Sequence, residues 1–230
     1  IVTKEMYTFE DKSGESISLR PEGTAGCVRA AIDNDLLRTD KPRLWYSGPM
    51  FRYERPQKGR SRQFHQFSAE VFGLKTPAVD AELITVSASF WKALGIYEDV
   101  TLEINNLGDD RARSNYVKEL VDFLNGKLDD IDDDTLRKLK ENPLRILDSK
   151  SKKIQEILNE APIIEDFVTQ SSKDYHNELL SMLDELNIAY EVNSKLVRGL
   201  DYYNQTVFEW KTGLLGSQDT ILGGGRYDNL

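Results

Sequence analysis

Apolar and polar residues change rhythm several times along this chain, and each rhythm points to a different element. Residues 43–53, RLWYSGPMFRY, are aromatic-rich and extended; residues 63–72, QFHQFSAEVF, alternate; a polar loop of nine residues separates them. This reads as a long-looped hairpin. In its second strand a period of two sets Phe64, Gln66, Ser68 and Glu70 on one face and His65, Phe67, Ala69 and Val71 on the other. The first face is expected to line something, or simply to be wet, and the second to be core. Residues 22–38, EGTAGCVRAAIDNDLLR, predict a helix with Thr24 as N-cap, so that Glu22 and Thr24 stand at its mouth. Residues 80–94 place Leu83, Val86, Phe90 and Leu94 at helical spacing, with Gly95 as a stop, and that stripe is expected to be core. Residues 99–105, DVTLEIN, predict a strand with Val100, Leu102 and Ile104 inward, Glu103 and Asn105 opposite, extending the hairpin's sheet.

From residue 109 to 186 the texture becomes rich in Lys, Glu, Asp and Leu at helical spacing, broken at DDIDDD, ENP and EAP, which predicts a small helical insert. The aspartates at 129, 130 and 132–134 lack the Gly and closing Glu of a calcium loop. They read as a solvated turn, with Thr135 as a cap. Strand-like sequence returns in AYEVN (189–193), VRGLDYYNQTVFEW (197–210) and TILGGGRYDNL (220–230). The last 45 or so residues are therefore expected to complete the sheet of the first half, giving an α+β fold.

Composition narrows the chemistry. A chain of 230 residues with 39% hydrophobic content buries a real core. No apolar run reaches the ~20 residues of a membrane span, and the first residues lack the order of a secretory signal, so a cytoplasmic protein is expected. One cysteine, Cys27, and two histidines, His65 and His176, leave no metal-ligand spacing, and no metal site is expected. At a net charge of −9, contact with a polyanion requires a local basic patch. Residues 48–70, GPMFRYERPQKGRSRQFHQFSAE, supply one, with five Arg or Lys against two Glu.

Within that stretch Arg52, Glu54, the basic loop and Phe64 suit a nucleotide: Arg on phosphate, Phe stacked on a base, Glu at the base edge. They equally suit a hairpin with surface ion pairs, each contributing at most ~1 kcal/mol. Arg198 interrupts a sheet-like run, where Arg is rarely buried unless paired, and Asp201 is its plain partner. The Gly223–Gly225 run lacks the Lys and Ser or Thr of a phosphate loop and reads as close backbone approach.

Taken in order, LRPEGTAGCVRA (19–30), GPMFRYERPQKGRSRQFHQFSAE (48–70), LVRGLDYYNQTVFEW (196–210) and GGGRYDNL (223–230) resemble histidyl-tRNA synthetases of the bacterial kind. The resemblance covers essentially the whole chain. The second block resembles motif 2 of the class II enzymes, and the third and fourth resemble the histidine-specific signatures. It implies a class II antiparallel sheet flanked by helices, with residues 1–108 the first part of the catalytic domain, 109–186 a helical insertion domain and 187–230 the remainder of the core. It further implies ATP-dependent activation of L-histidine and transfer to tRNA(His), with Mg2+ accompanying ATP.

Position by position, Arg52 would bind the α-phosphate and the substrate carboxylate, Glu54 would read adenine, and Phe64 would stack on it. Arg60 would orient the pyrophosphate end and the tRNA acceptor stem. Glu22, Thr24 and Gln66 would hold the α-amino group. Glu70 and Tyr203 would take the two imidazole nitrogens, one donor and one acceptor, with Tyr227 closing the pocket. Arg198 would be the catalytic arginine, on carboxylate and α-phosphate. The family's first motif, third motif and anticodon-binding domain have no counterpart in these residues, so the chain is expected to be a fragment with at most feeble activity, and a homodimer is expected only of the full-length protein. A silent relative is the alternative: the regulatory subunit of ATP phosphoribosyltransferase or the tRNA-sensing domain of a stress kinase.

Overall fold

The computed structural model describes residues 5–38, 41–200, 202–215 and 219–230. The described residues form two compact units, the first drawn from residues 1–79, 213–219 and 230 and the second from residues 80–212 and 220–229. In the first, β1 (Thr8–Glu10) and β2 (Ser16–Ser18) make a small antiparallel ribbon, α1 spans Thr24–Asp33, and β3 (Arg43–Phe51) pairs antiparallel with β4 (Gln63–Val71). Helix α2 (Pro77–Leu94) leads into the second unit, which holds β5 (Thr101–Asn106), α3 (Asp110–Asn125), α4 (Asp133–Glu141), α5 (Lys152–Leu158), α6 (Gln170–Glu185), β6 (Glu191–Val192), β7 (Asn204–Lys211) and β8 (Thr220–Arg226).

The predicted hairpin forms, but its faces are exchanged. Trp45 and Phe67 stack at 5.7 Å on the face expected to be core, yet are 70% and 60% exposed. The covered face is the polar one, where Leu44, Tyr46, Gly48 and Met50 oppose Glu70, Ser68, Gln66 and Phe64. Polar groups tolerate this burial because they find partners there, Glu70 from Thr24 and Tyr46 and Ser68 from Gln66.

Strand β5 does not extend the hairpin's sheet. A strand has two hydrogen-bonding edges, and both of its edges are taken, by β6 in parallel and by β7 antiparallel, within a four-stranded order β6-β5-β7-β8. Strand β7 begins at Asn204, later than the predicted start at Val197, and just inside it Gln205 adopts φ 47° where the ladder with β8 slips between Asn204 and Val207. A bulge of that kind disrupts the ladder locally, and pairing resumes at Val207.

One face of this sheet carries Leu102, Ile104, Phe208 and Trp210 against Ala81, Ile84, Ala88 and Trp91 of α2 and Leu179 and Leu183 of α6. The predicted inward residues of β5 thus point inward. The buried stripe of α2 is not the predicted one: Val86, Phe90 and Leu94 are exposed. Both stripes have helical spacing, but Ala81 and Ala88 let the helix approach closely, and Ser87 Oγ accepts a 2.8 Å bond from Trp210 Nε1. A second core gathers Tyr116, Leu120 and Leu124 of α3 with Ile146, Ile154, Leu158 and Ile164 and with Val207 of β7. Asp132, not Thr135, caps α4: its carboxylate accepts from Thr135 N at 2.8 Å.

A buried carboxylate joins these layers. Asp80 at the start of the second unit lies 3.0 Å from Arg226 Nε of β8 and accepts from Thr206 of β7 at 2.7 Å and Tyr175 of α6 at 3.1 Å. Burial outweighs Arg226 and holds the Asp80 pKa above the ordinary carboxylate value. Arg226→Ala, which leaves that charge uncompensated, is expected to cost about 3–5 kcal/mol in denaturant unfolding at neutral pH. With Arg226 gone the folded pKa of Asp80 rises further, so the folded state holds the proton and stability falls as pH rises through that value. The deficit should be larger at pH 8 than at pH 5; a pH-independent deficit would contradict this account.

Candidate active site

The candidate residues of motif 2 and the α1 mouth all lie in the first unit, whereas Arg198, Tyr203 and Tyr227 lie in the second. In the first unit Glu22 does what Thr24 was expected to do. Its carboxylate accepts from Thr24 N at 2.7 Å and from Ala25 N at 3.3 Å, where the N-terminal dipole of α1 favours negative charge. Gly23 is the N-cap residue, and Thr24, inside the helix, is freed to donate its hydroxyl to Glu70 Oε1 at 2.9 Å. Tyr46, which sequence reasoning did not single out, donates to the same oxygen at 3.0 Å. Its ring lies so close to Gly23 that a Cβ there would sit 2.2 Å from Tyr46 Cε2. Burial lifts the Tyr46 phenol pKa well above its ordinary value, so it stays protonated as a donor. Gln66 turns to Ser68 at 2.9 Å, on the same strand face.

Farther along the hairpin, Arg52 Nε donates to Pro21 O at 2.7 Å, and its guanidinium carbon stands 5.0 Å from the Phe64 ring centre. Glu54 accepts from Arg60 Nη1 at 2.6 Å, and Arg52 Nη1 lies 3.8 Å from its other oxygen. The four residues expected at the nucleotide are therefore neighbours. They are joined to one another.

In the second unit Tyr203 is buried, with its carbonyl accepting from Arg113 at 2.8 Å and its ring 4.7 Å from that of Tyr202, which in turn lies 5.7 Å from Tyr227. The Arg198 guanidinium carbon is 5.6 Å from the Tyr203 ring centre, and Nη1 pairs with Glu209. Asp201, the partner expected from sequence, lies outside the described residues. Burial works against the Arg198 charge, but Tyr203 and Glu209 outweigh it and hold its pKa above the ordinary value. Glu209 was legible in principle: it is the one carboxylate in the apolar run TVFEW. Close approach explains Gly223, whose Cβ would lie 2.3 Å from Arg198 Nη1. Among the described residues no group of three or more His, Cys, Asp or Glu is placed to hold a metal ion, and no helix is long and apolar enough to cross a membrane.

A family model described as histidyl-tRNA synthetase matches residues 2–230. The chain belongs to the histidyl-tRNA synthetase family. Its mixed α/β architecture is that of the class II catalytic domain. Among solved structures, histidyl-tRNA synthetase from S. aureus superimposes with a TM-score of 0.75 at 37% identity, covering 97% of this chain and 54% of that one. An ATP phosphoribosyltransferase regulatory subunit/histidyl-tRNA synthetase from Bacillus halodurans gives 0.68 at 20% identity, over 99% of this chain and 62% of that one. A histidine--tRNA ligase subunit from Alicyclobacillus acidocaldarius gives 0.58 at 18%, over 97% and 72%. The two lower identities speak for the fold alone. The chain thus spans about half the length of the S. aureus synthetase it resembles.

In this histidyl-tRNA synthetase family member, removing one hydroxyl from the buried Glu70 has a defined cost. Tyr46→Phe is expected to lower unfolding free energy by ~1–3 kcal/mol, the penalty of a buried acceptor losing a partner. Urea titration followed by tryptophan fluorescence checks it, and an unchanged midpoint would show that Tyr46 carries none of that burden.

Proposed function

We propose that this chain carries the histidine-activating site of a cytoplasmic histidine–tRNA ligase, which converts L-histidine and ATP to histidyl-adenylate and passes the histidyl group to tRNA(His). The observation that carries this reading is the buried Arg198, kept charged beside Tyr203 and Glu209 in a setting where an uncompensated cation would be costly. Such a group suits an anion that gains charge during reaction. The 37% identity to the S. aureus enzyme supports the same reading.

In the first step a carboxylate oxygen of histidine attacks the α-phosphorus of ATP, and the bond to the leaving pyrophosphate breaks. Arg52 and Arg198 donate to the carboxylate and to the α-phosphoryl oxygens, where negative charge builds. In the second step the terminal ribose hydroxyl of the tRNA attacks the adenylate carbonyl and AMP leaves. No side-chain nucleophile is needed, and catalysis is positioning plus electrostatics. ATP enters as its magnesium complex, the ion held mainly through phosphates. Its phosphates compete with Glu54 for Arg60, which releases Glu54 to accept from the adenine amino group while Phe64 stacks on the ring. The imidazole takes one bond from each of Glu70 and Tyr203, with Tyr227 closing the pocket, and analogues lacking either nitrogen leave a buried group unpaired. Glu22, Thr24 and Gln66 hold the α-ammonium group, Glu22 while it also caps α1.

A regulatory subunit of ATP phosphoribosyltransferase is the second reading, compatible with the fold shared with the Bacillus halodurans protein. It requires neither Arg198 nor Glu54. Histidine-dependent exchange of labelled pyrophosphate into ATP separates the two, run on the full-length protein, expected as a homodimer, beside these 230 residues. Exchange is expected in the full-length protein and feebly in the shorter chain, and Arg198→Ala should lower it ~10²-fold, the scale of losing one transition-state donor. Saturable histidine binding without exchange in either form would favour the regulatory reading.

A further inference from the structure

Two carboxylates face each other across neighbouring strands: Glu103 of β5 and Glu209 of β7 are register partners. Like charges directly opposite are destabilising, and these side chains are only 16% and 12% exposed. The nearby donors are divided unequally between them. Lys211 Nζ is 2.8 Å from Glu103 but 4.0 Å from Glu209, and Asn193 Nδ2 donates to Glu103 at 2.6 Å. Glu209 is left with two other attachments, one per oxygen. Its Oε2 accepts from Thr220 Oγ1 of β8 at 2.7 Å, and its Oε1 pairs with Arg198 Nη1.

The Arg198 guanidinium is confined on further sides. Gly223 packs so closely on it that an added Cβ would lie 2.3 Å from Nη1, and the Tyr203 ring centre stands 5.6 Å from the guanidinium carbon. Its Nε, by contrast, is buried without a hydrogen-bond partner among the described residues. A buried donor left unpaired is costly, so an oxygen offered to that edge gains most.

We infer that Glu209 is the positioning residue of the site: anchored to β8 by Thr220, it fixes the Nη1 edge of Arg198 so that the Nε edge is presented to an anionic oxygen of the substrate. This rests on the role of Arg198 proposed above. Glu209 touches the arginine and not the reacting atoms, and it acts by holding a flexible side chain in one orientation before substrate arrives. A sheet strut would need the same ion pair but would not govern turnover.

Glu209→Gln removes the charge and keeps the shape, while Glu209→Asp keeps the charge and draws it back by one methylene. In full-length protein, pyrophosphate-exchange kcat should fall about ten-fold or more in Glu209→Gln, with KM for histidine and ATP within about two-fold, and Asp should be intermediate. Combined with Arg198→Ala, Glu209→Gln should add almost nothing further, because residues acting as a unit are non-additive. Wild-type kcat in Glu209→Gln, or full additivity with Arg198→Ala, overturns the inference. Absence of exchange in unmodified protein instead defeats the ligase reading, and the positioning claim is then decided by the Arg198 Nε–H resonance in 15N-labelled protein. Slow solvent exchange that accelerates about ten-fold or more in Glu209→Gln supports it, since a loosened donor meets water more often. An unchanged resonance overturns it.

Discussion

The second unit depends on one buried charge. Asp80 gathers Arg226 from β8, Thr206 from β7 and Tyr175 from α6, so four elements are tied at a single carboxylate. Such a pair adds little net stability over a well-packed apolar core, because removing two charges from water is expensive. What it adds here is register. Thr206 reaches Asp80 only if the even-numbered residues of β7 face α2 and α6, and a slip by one position would turn every side chain over. The register that seats Phe208 and Trp210 in the core also sets Val207, Glu209 and Lys211 on the other face. Glu209 meets Arg198 because Thr206 meets Asp80.

The candidate site follows a related rule, in which carboxylates are held before any ligand is present. Glu22 is held by the N-terminus of α1, Glu54 by Arg60, Glu70 by two hydroxyls and Glu209 by Arg198 and Thr220. Held carboxylates keep fixed positions and so lose little freedom when a ligand binds, which is how positioning lowers a barrier. The partners differ in kind. Hydroxyls keep Glu70 dry and specific, whereas Arg60 is a cation for which a phosphate can compete.

Much of this was legible in sequence because it is local. The hairpin, its basic loop, the helical stretch after residue 109 and the inward residues of β5 follow from periods of two and 3.6 and from turn chemistry. The motif residues follow from spacing within blocks of a dozen or two residues, and they carried the family. Arg198 was conspicuous because a cation in a sheet-like run demands a partner, and Glu209 was visible as the carboxylate in TVFEW without being connected to it.

Tertiary structure alone decided which faces were buried. Periodicity says that two stripes of α2 are apolar, but only packing chose Ala81, Ile84, Ala88 and Trp91, the stripe with small residues that lets helix and sheet approach. Alternation says that β4 has a polar and an apolar face, but only the partners of Glu70 and Ser68 made the polar face the one that could be covered. Cross-strand neighbours such as Glu103 and Glu209, and ion pairs such as Asp80 with Arg226, join residues more than 100 positions apart. Sequence determines what each residue can offer, because donors, acceptors, charge and volume belong to the side chain; the fold decides which offers meet, because that depends on register and distance between segments that no local pattern relates.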